Sequence, residues 1–249
     1  MDSNFIFDLS YYDKVNNQLK KIIEIEKEKM MQASIQIAQS IADQGIVHIF
    51  GTGHSHIFGE EAFYRAGGLA CVNPILEPSL MLHAGAMKSS ALEDLEGYAE
   101  KIFNHVQPEK SDIFVIFSNS GVNHVPVEMA KKVKDSQLPL IGIGSKKYSE
   151  FLKNNKKRQS LSDFADIFID NHAEIGDAVL SITGLEQKIA PTSTVCGAFI
   201  LNLILANVSV WLIQQEKITP PIFISGNLPD GKKKNADLYN YYRKRVRAL

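Results

Sequence analysis

Four short apolar runs rich in β-branched residues recur along the chain: IVHIF (46–50), DIFVIF (112–117), LPLIGIG (138–144) and FADIFID (164–170). Each is bounded by glycine or polar residues and is too short for a helix, so each reads as a buried strand. Between them lie stretches of helical character over 57–66, 90–103 and 125–134, followed by a longer one from 185 or 194 to about 215. Strands alternating with helices specify a parallel sheet covered on both faces, because each right-handed crossover lays its helix back on the sheet. Such a sheet takes ligands where the carboxyl ends of strands meet helix N-termini. The segments after Phe50 and Phe117 are therefore the places where a ligand is expected.

The flanks of this pattern add an arm and a tail. Residues 8–42 are rich in helix formers, with apolar positions at Leu19, Ile22, Ile23, Met30, Ile37 and Ile41, which predicts one long helix or two joined ones. The tail GKKKNADLYNYYRKRVRAL reads as a docked helix with a cationic end, and the basic run NNKKRQ (154–159) as a solvated loop or helix end without interleaved aromatics. No repeat or Pro/Gly-rich linker divides the 249 residues, so one domain is expected: an arm over 8–43, a core over 44–216 and a C-terminal strand and helix extension over 217–249.

Composition excludes several classes of function. The 27 basic side chains nearly cancel the 28 acidic ones, leaving a formal charge of -1, so no broad field for nucleic acid or an anionic membrane is expected. Cys71 and Cys196 are far apart and form no CxxC pair, which argues against a disulfide framework or a cysteine zinc site and fits a reducing cytoplasm. The opening MDSNFIFDLSYYDK carries acids where a signal peptide has a basic start. The most apolar stretch, 195–213, is close to membrane-spanning length, but Gly197, Asn202, Asn207 and Ser209 interrupt it, and a buried helix is expected.

FGTGHSHIFG and FSNSGVNHVPVE share one design: a buried strand ends, glycine and small hydroxyl residues turn, and a helix begins. Backbone N–H groups and hydroxyls then point at one spot near the positive end of a helix dipole, an arrangement that binds phosphate. Ser55, Ser118 and Ser120 are candidate phosphate ligands, with Gly51, Gly53 and Gly121 allowing close approach. Either turn alone is also ordinary helix capping. Neither is a P-loop, since no GK[ST] follows, and the first lacks the glycine spacing of a dinucleotide fingerprint.

GTGHS, FSNSG and APTSTVCGAFILNLI (190–204) together resemble the three signature segments of the sugar isomerase, or SIS, domain. The resemblance spans about 46–211 and implies a three-layer α-β-α sandwich with a five-stranded, mainly parallel sheet, preceded here by the helical arm. It implies that Ser55, Ser118, Ser120, Asn119 and Asn123 line a phosphate pocket with the Gly53 backbone, and that Thr192, Ser193 and Thr194 form the turn of the third segment. AGGLACVNPILEP, LEDLEGYAEKIF and ISGNLPDG look like a bacterial SIS subgroup left uncharacterised, with partial similarity to N-acetylmuramic acid 6-phosphate etherases and phosphoheptose isomerases. The ligand implied is a sugar phosphate; no cofactor is expected, nor, from the charge balance, nucleic acid or membrane, and the helical arm at 8–42 and the long apolar helix after Thr194 suggest burial between subunits in a homodimer or homotetramer.

Chemistry on such a ligand needs a carboxylate near the sugar carbons. By resemblance to the etherases, ALEDLEGYA places Glu93 at a catalytic glutamate; the bland alternative is a first-turn acid in a capping box with Ser89 or Ser90. The second etherase glutamate has no counterpart, since Arg65 falls there. His54, inside the first turn, is a candidate for opening the sugar ring, while His56 is expected to support the helix start. Glu60, Glu61, Glu77 and His83 are reserves. Asp170, Asn171 and Asp177 follow the fourth run as possible sugar-hydroxyl ligands or Asx turns, and Asn227 is placed to complete a site only in a dimer. His54 and His56 with His124 offer a minority zinc reading without supporting motif spacing, so no metal is expected. The sequence thus points to an enzyme acting on an amino sugar 6-phosphate by isomerisation or etherase-like elimination. The alternative is a non-catalytic phosphosugar sensor that regulates a protein partner.

Overall fold

A computed structural model of the chain describes residues 7–249; residues 1–6, on which the reading of the N-terminus partly rests, lie outside the described residues. Arm α1 (Ser10–Ala42) is a single 33-residue helix, which decides between one helix and two. Asp8 accepts the Ser10 N–H at 2.8 Å and so satisfies one of the donors left over at its start. Its inner stripe, Ile22, Met30, Ala33, Ile37 and Ile41, follows helical periodicity and is buried.

The chain then alternates: β1 (Val47–Gly51), α2 (Ile57–Ala62), β2 (Val72–Ile75), α3 (Ala86–Glu93), α4 (Tyr98–Val106), β3 (Ile113–Phe117), α5 (His124–Asp135), β4 (Leu140–Gly144), α6 (Lys146–Lys156) and β5 (Ile167–Asp170). The five strands form one sheet in the order β2-β1-β3-β4-β5, with every pairing parallel. Strand residues alternate between two cores. Ile49, Val115 and Ile141 face α1 and the later helix α7 (Ser193–Trp211), whereas Phe50, Phe114, Ile116 and Leu140 face α4 and α5. Five parallel strands between two helical layers make the three-layer α/β fold expected from the sequence.

Several local expectations are corrected. The four apolar runs missed β2, an edge strand whose Pro74 lies opposite Ile49; proline is tolerated there because an edge strand has one side without ladder partners. The helix expected over 90–103 is two, α3 and α4, separated at Gly97, which sits at φ +79°. Glu128 reaches from α5 to accept the N–H groups of Gly97 (3.0 Å) and Ala99 (3.2 Å), capping the second helix. Consequently Glu93 ends α3 instead of opening a helix, and the capping-box account of it fails: Ser89 is buried and donates to the Leu80 carbonyl at 2.9 Å.

A small antiparallel hairpin, β6 (Ala178–Leu180) with β7 (Ile189–Pro191), precedes α7 and was not foreseen. Helix α7 packs along α1 and, extended by a last wide turn to Glu216, is long and apolar enough to cross a membrane by composition. Here its buried stripe, Cys196, Ile200, Ile204 and Val208, lies in the core shared with α1. In the C-terminal extension the expected strand is reduced to one antiparallel bridge between Ile222 and Leu69, followed by α8 (Gly231–Tyr242).

Candidate functional site

The first signature turn begins where β1 ends. Thr52 leaves the sheet in an extended conformation, and residues 53–56 coil into a 3-10 turn held by Ser55 N–H donating to the Thr52 carbonyl at 2.9 Å. Gly51 is required by this fold-back, since a Cβ there would lie 2.3 Å from the Ser55 carbonyl oxygen. Gly53 is required for a different reason, its φ of +54°. His56 turns inward and its Nδ1 hydrogen-bonds the Gly53 carbonyl, as expected for a residue supporting the helix start.

The second turn follows β3. Ser118 is 5% exposed, and its hydroxyl accepts the Gly121 N–H at 3.1 Å, which leaves its proton free to donate. The backbones of β3 and β4 meet here so closely that a Cβ on Gly144 would fall 2.1 Å from the Ser118 carbonyl oxygen. Asn119 accepts from the Asn171 amide at 3.0 Å, so the strand-end loops of β3 and β5 are tied together.

The third segment brings the start of α7 to the same place. Gly197 lets the helix approach the Phe58 ring, whose Cζ would lie 2.4 Å from an added Cβ, and Phe58 in turn stacks on Phe117 with centroids 4.0 Å apart. Over this apolar floor His54, Ser55, Ser118, Asn119, Ser193 and Thr194 share one cavity of about 10 Å³, together with Asn171. That volume is on the order of a single water molecule. Asp177 lies at the mouth of the helix rather than in the cavity: it accepts the N–H groups of Thr192 (3.1 Å) and Ser193 (2.9 Å) and the Ser193 hydroxyl (2.5 Å). It therefore caps α7 from a distant loop instead of making an Asx turn; the Asx turns are at Asp170 and Asn171, which accept the N–H groups of His172 (2.8 Å) and Ala173 (2.9 Å). Thr192 is fully buried and its hydroxyl has no partner among the described residues. Gly53, Ser120 and Asn123 belong to the two turns but do not line the cavity.

Glu93 reaches this region from α3. Its carboxylate accepts a hydrogen bond from Thr52, the first residue after β1, so the acid from a separate helix is joined to the first signature turn. Thr52 was missed as a site residue, although its hydroxyl inside GTGHS was a visible signal. His83 approaches too, with its ring 6.2 Å from that of His56. The other reserves have local roles: Glu61 pairs with Arg65 and accepts from Asn202, Glu60 lies 3.6 Å from His56, and Glu77 caps the turn at Ser79. Among the described residues His54 and His56 join no three-ligand cluster, and His124 faces Glu96 at 3.9 Å instead. Asn227 is exposed in the extension.

Size alone does not select this site. A cavity of about 710 Å³ opens between Arg65, Lys232 and Tyr239, near α8. Among the described residues its lining comes from the segment after α2, from residues 223–226 and from α8, and not from the strand ends of the parallel sheet; the small cavity is where the three hydroxyl-rich segments meet.

Comparison with known proteins bears on the family and the fold. A family profile described as SIS domain matches residues 10–145. The UPF0309 protein of Geobacillus kaustophilus is 39% identical over 240 residues, 96% of this chain and 95% of its own. The UPF0309 protein of Listeria innocua is 40% identical over 241 residues, 96% of this chain and 97% of its own. Among solved structures, a phosphoheptose isomerase from Francisella tularensis superposes with a TM-score of 0.52 at 12% identity, over 80% of this chain and 94% of that one. The sugar isomerase domain of an RpiR transcription factor from Sphaerobacter thermophilus gives 0.50 at 10% identity, over 95% and 97%. At such identities the structural likeness is one of fold.

Proposed function

The chain belongs to the SIS-domain family, and from that membership we propose that it binds an amino sugar 6-phosphate at the joined turns and isomerises it by proton transfer. One observation carries the reading: three hydroxyl-rich segments from distant parts of the chain converge on one cavity, and a carboxylate from a fourth is hydrogen-bonded to the first of them.

In this proposal the phosphate takes donors from Ser55, Ser118, Ser120, Asn119 and Asn123 and from the backbone at Gly53, at the positive ends of α2 and α5. Thr192, Ser193 and Thr194 contact the sugar, with Asp177 either holding the start of α7 or exchanging its Ser193 bond for a sugar hydroxyl. His54 opens the ring by giving a proton to the ring oxygen and taking one from the anomeric hydroxyl. Glu93, oriented by Thr52, removes the proton from the carbon beside the carbonyl and returns it to the former carbonyl carbon, while His54 takes the proton of the adjacent hydroxyl and gives one to the carbonyl oxygen, so that both the carbon and the oxygen protons are accounted for. Etherase-like elimination is less well supported, because the second acid it uses is matched here by Arg65, paired with Glu61. The cavity is too small for a hexose, so binding requires the turns to part or a second subunit to complete the site.

The same reading makes the chain a homodimer or homotetramer. Ile23 and Met31 of α1 and Val210 and Ile213 beyond the core stripe of α7 are exposed apolar side chains on adjoining helices. Light scattering is expected to give at least twice the chain mass; a monomer at micromolar concentration contradicts this.

A non-catalytic sensor is the second reading, favoured by the presence of one carboxylate at the site where an etherase has two. Hexose, hexosamine and muramic acid 6-phosphates tested by thermal shift and then by NMR for turnover separate the two. Turnover that falls by about 10²–10⁴-fold in Glu93→Gln, with binding retained, is the enzyme's signature. Binding without turnover in the unaltered protein leaves the sensor.

A further inference from the structure

Arm α1 meets the carboxyl end of β5 through a buried polar cluster that the proposed reaction does not use. Glu26 lies on the inner stripe of α1 at 2% exposure, and its Oε2 takes the Lys29 ammonium at 2.8 Å. Asp170, the last residue of β5, accepts the N–H groups of Lys146 (3.0 Å) and His172 (2.8 Å) on Oδ1, which leaves Oδ2 facing the His172 ring, 3.3 Å from Nδ1. The His172 side chain is only 9% exposed, and its Nε2, fully enclosed, meets no hydrogen-bond partner among the described residues. Glu26 Oε1 stands 3.5 Å from that nitrogen. One ligand atom from each of the three residues lies within 4.8 Å of the other two.

Two buried carboxylates and an enclosed ring nitrogen need a compensating charge, and Lys29 supplies one for Glu26 only. The 3.5 Å gap between Glu26 Oε1 and His172 Nε2 is long and misaligned for a hydrogen bond. Two ligands held about 2.1 Å from a common ion stand roughly 3.0–3.4 Å apart at octahedral or tetrahedral angles, close to this separation. We propose that Glu26 Oε1 and His172 Nε2 hold one divalent first-row metal ion, with Asp170 Oδ2 orienting the ring through Nδ1. Oxygen donors with one imidazole and no thiolate suit Mn²⁺ or Zn²⁺, with water in the remaining positions.

The location gives the ion a role. Asp170 and His172 flank Asn171, whose side chain bonds Asn119 in the cavity and whose carbonyl accepts from Gln18 of α1 at 2.6 Å. A metal there pins the arm to the strand end that shapes the cavity, and it does so whether the cavity serves an enzyme or a sensor.

The test uses the full-length protein, stripped with a chelator and then titrated with Mn²⁺ or with Zn²⁺ by calorimetry. Saturable binding of one ion per chain and a rise in Tm are expected. Glu26→Gln and His172→Gln are each expected to weaken binding by at least about 100-fold, at or beyond what outer-shell changes cost, while His56→Ala retains it. Pulsed EPR of the Mn²⁺-loaded wild type, which needs no variant to fold, is expected to show coupling to one imidazole nitrogen. Absence of saturable binding of both ions, wild-type affinity in either glutamine variant, or a Mn²⁺ signal without that nitrogen overturns the proposal.

Discussion

Polar groups are buried at both ends of the sheet, and the two ends treat them differently. At the amino-terminal end Asp112, with no exposed surface, accepts from the Ile46 N–H (2.8 Å), the Glu109 N–H (2.8 Å), His48 Nε2 (2.9 Å) and both oxygens' worth of the Arg245 guanidinium (2.8 and 2.9 Å). Asn73 completes the set by bonding the other His48 nitrogen at 2.9 Å. Every strong group there has its partner inside the protein, and the C-terminal tail is clamped by it. At the carboxyl end hydroxyls and helix N-termini gather around a cavity, the Thr192 hydroxyl is unpartnered among the described residues, and Glu93 is held by a side chain rather than by a full shell. Complete satisfaction marks a structural device; donors left over mark a place that something else fills.

The largest effect expected from this contrast is at Asp112. Asp112→Ala strands the His48 ring and the Arg245 guanidinium and should lower unfolding stability by about 3–5 kcal/mol in urea titration, with little change in any sugar-phosphate affinity. Burial alone would raise the Asp112 carboxyl, but hydrogen bonds from His48 and the Glu109 and Ile46 N–H groups hold it below its ordinary value of 3.8. A carboxyl depressed on folding contributes stability above its unfolded value and loses that contribution as pH falls through the folded one. The wild type should therefore lose stability below about pH 4 more steeply than Asp112→Ala. Equal acid sensitivity, or a cost under about 1 kcal/mol, would place the clamp elsewhere.

The carboxyl end was more legible in the sequence than the amino-terminal end. GTGHS and FSNSG advertise themselves because small hydroxyl residues and glycine interrupt apolar strands, and Ser55, Ser118 and Asn119 do share the cavity with Ser193 and Thr194. The clamp was hidden: His48 sits inside an apolar run, and its partners Asn73, Asp112 and Arg245 are distant in sequence, so only the folded sheet joins them. Strand β2 was not among the four apolar runs because Asn73 and Pro74 dilute its β pattern, which an edge position tolerates. Glu93 was singled out by resemblance alone, and its local setting was misread, since helix breaks set by a positive-φ glycine and a cap from Glu128 depend on tertiary contacts. The pairing of Glu26 with His172 had no signal, the two standing 146 positions apart.

A smaller effect is expected at the cavity, and of the opposite kind. Ser55→Ala removes a hydroxyl that the protein's own fold does not need, so urea midpoints should hardly move while affinity for a bound sugar phosphate falls by the 1.5–3 kcal/mol of a charged hydrogen bond, roughly 10- to 150-fold. Ser118→Ala should sit between the two ends, losing affinity and also stability, because the Ser118 hydroxyl accepts the Gly121 N–H. If Ser55→Ala destabilises as much as Ser118→Ala, the first turn is a structural device like the clamp.

The smallest effect concerns how often each end opens. Cys71 precedes β2 beside the clamp, and its carbonyl accepts the Val47 N–H; Cys196 lies in the first turn of α7, with its N–H on the Thr192 carbonyl. Burial pushes both thiols up to about 12, with Asp177 adding to the rise at Cys196. At pH 8 a thiol with such a value is thiolate in about one molecule in ten thousand, so iodoacetamide reports opening rather than the closed protein. A satisfied clamp should protect Cys71 until global unfolding, whereas Cys196 should label through a smaller opening of the cavity end, faster by a factor that mass spectrometry can read. A sugar phosphate that binds the cavity should slow Cys196 selectively. Equal labelling rates, both matching global unfolding, would mean that the two ends open together and that the unpartnered donors leave the carboxyl end no looser than the clamp.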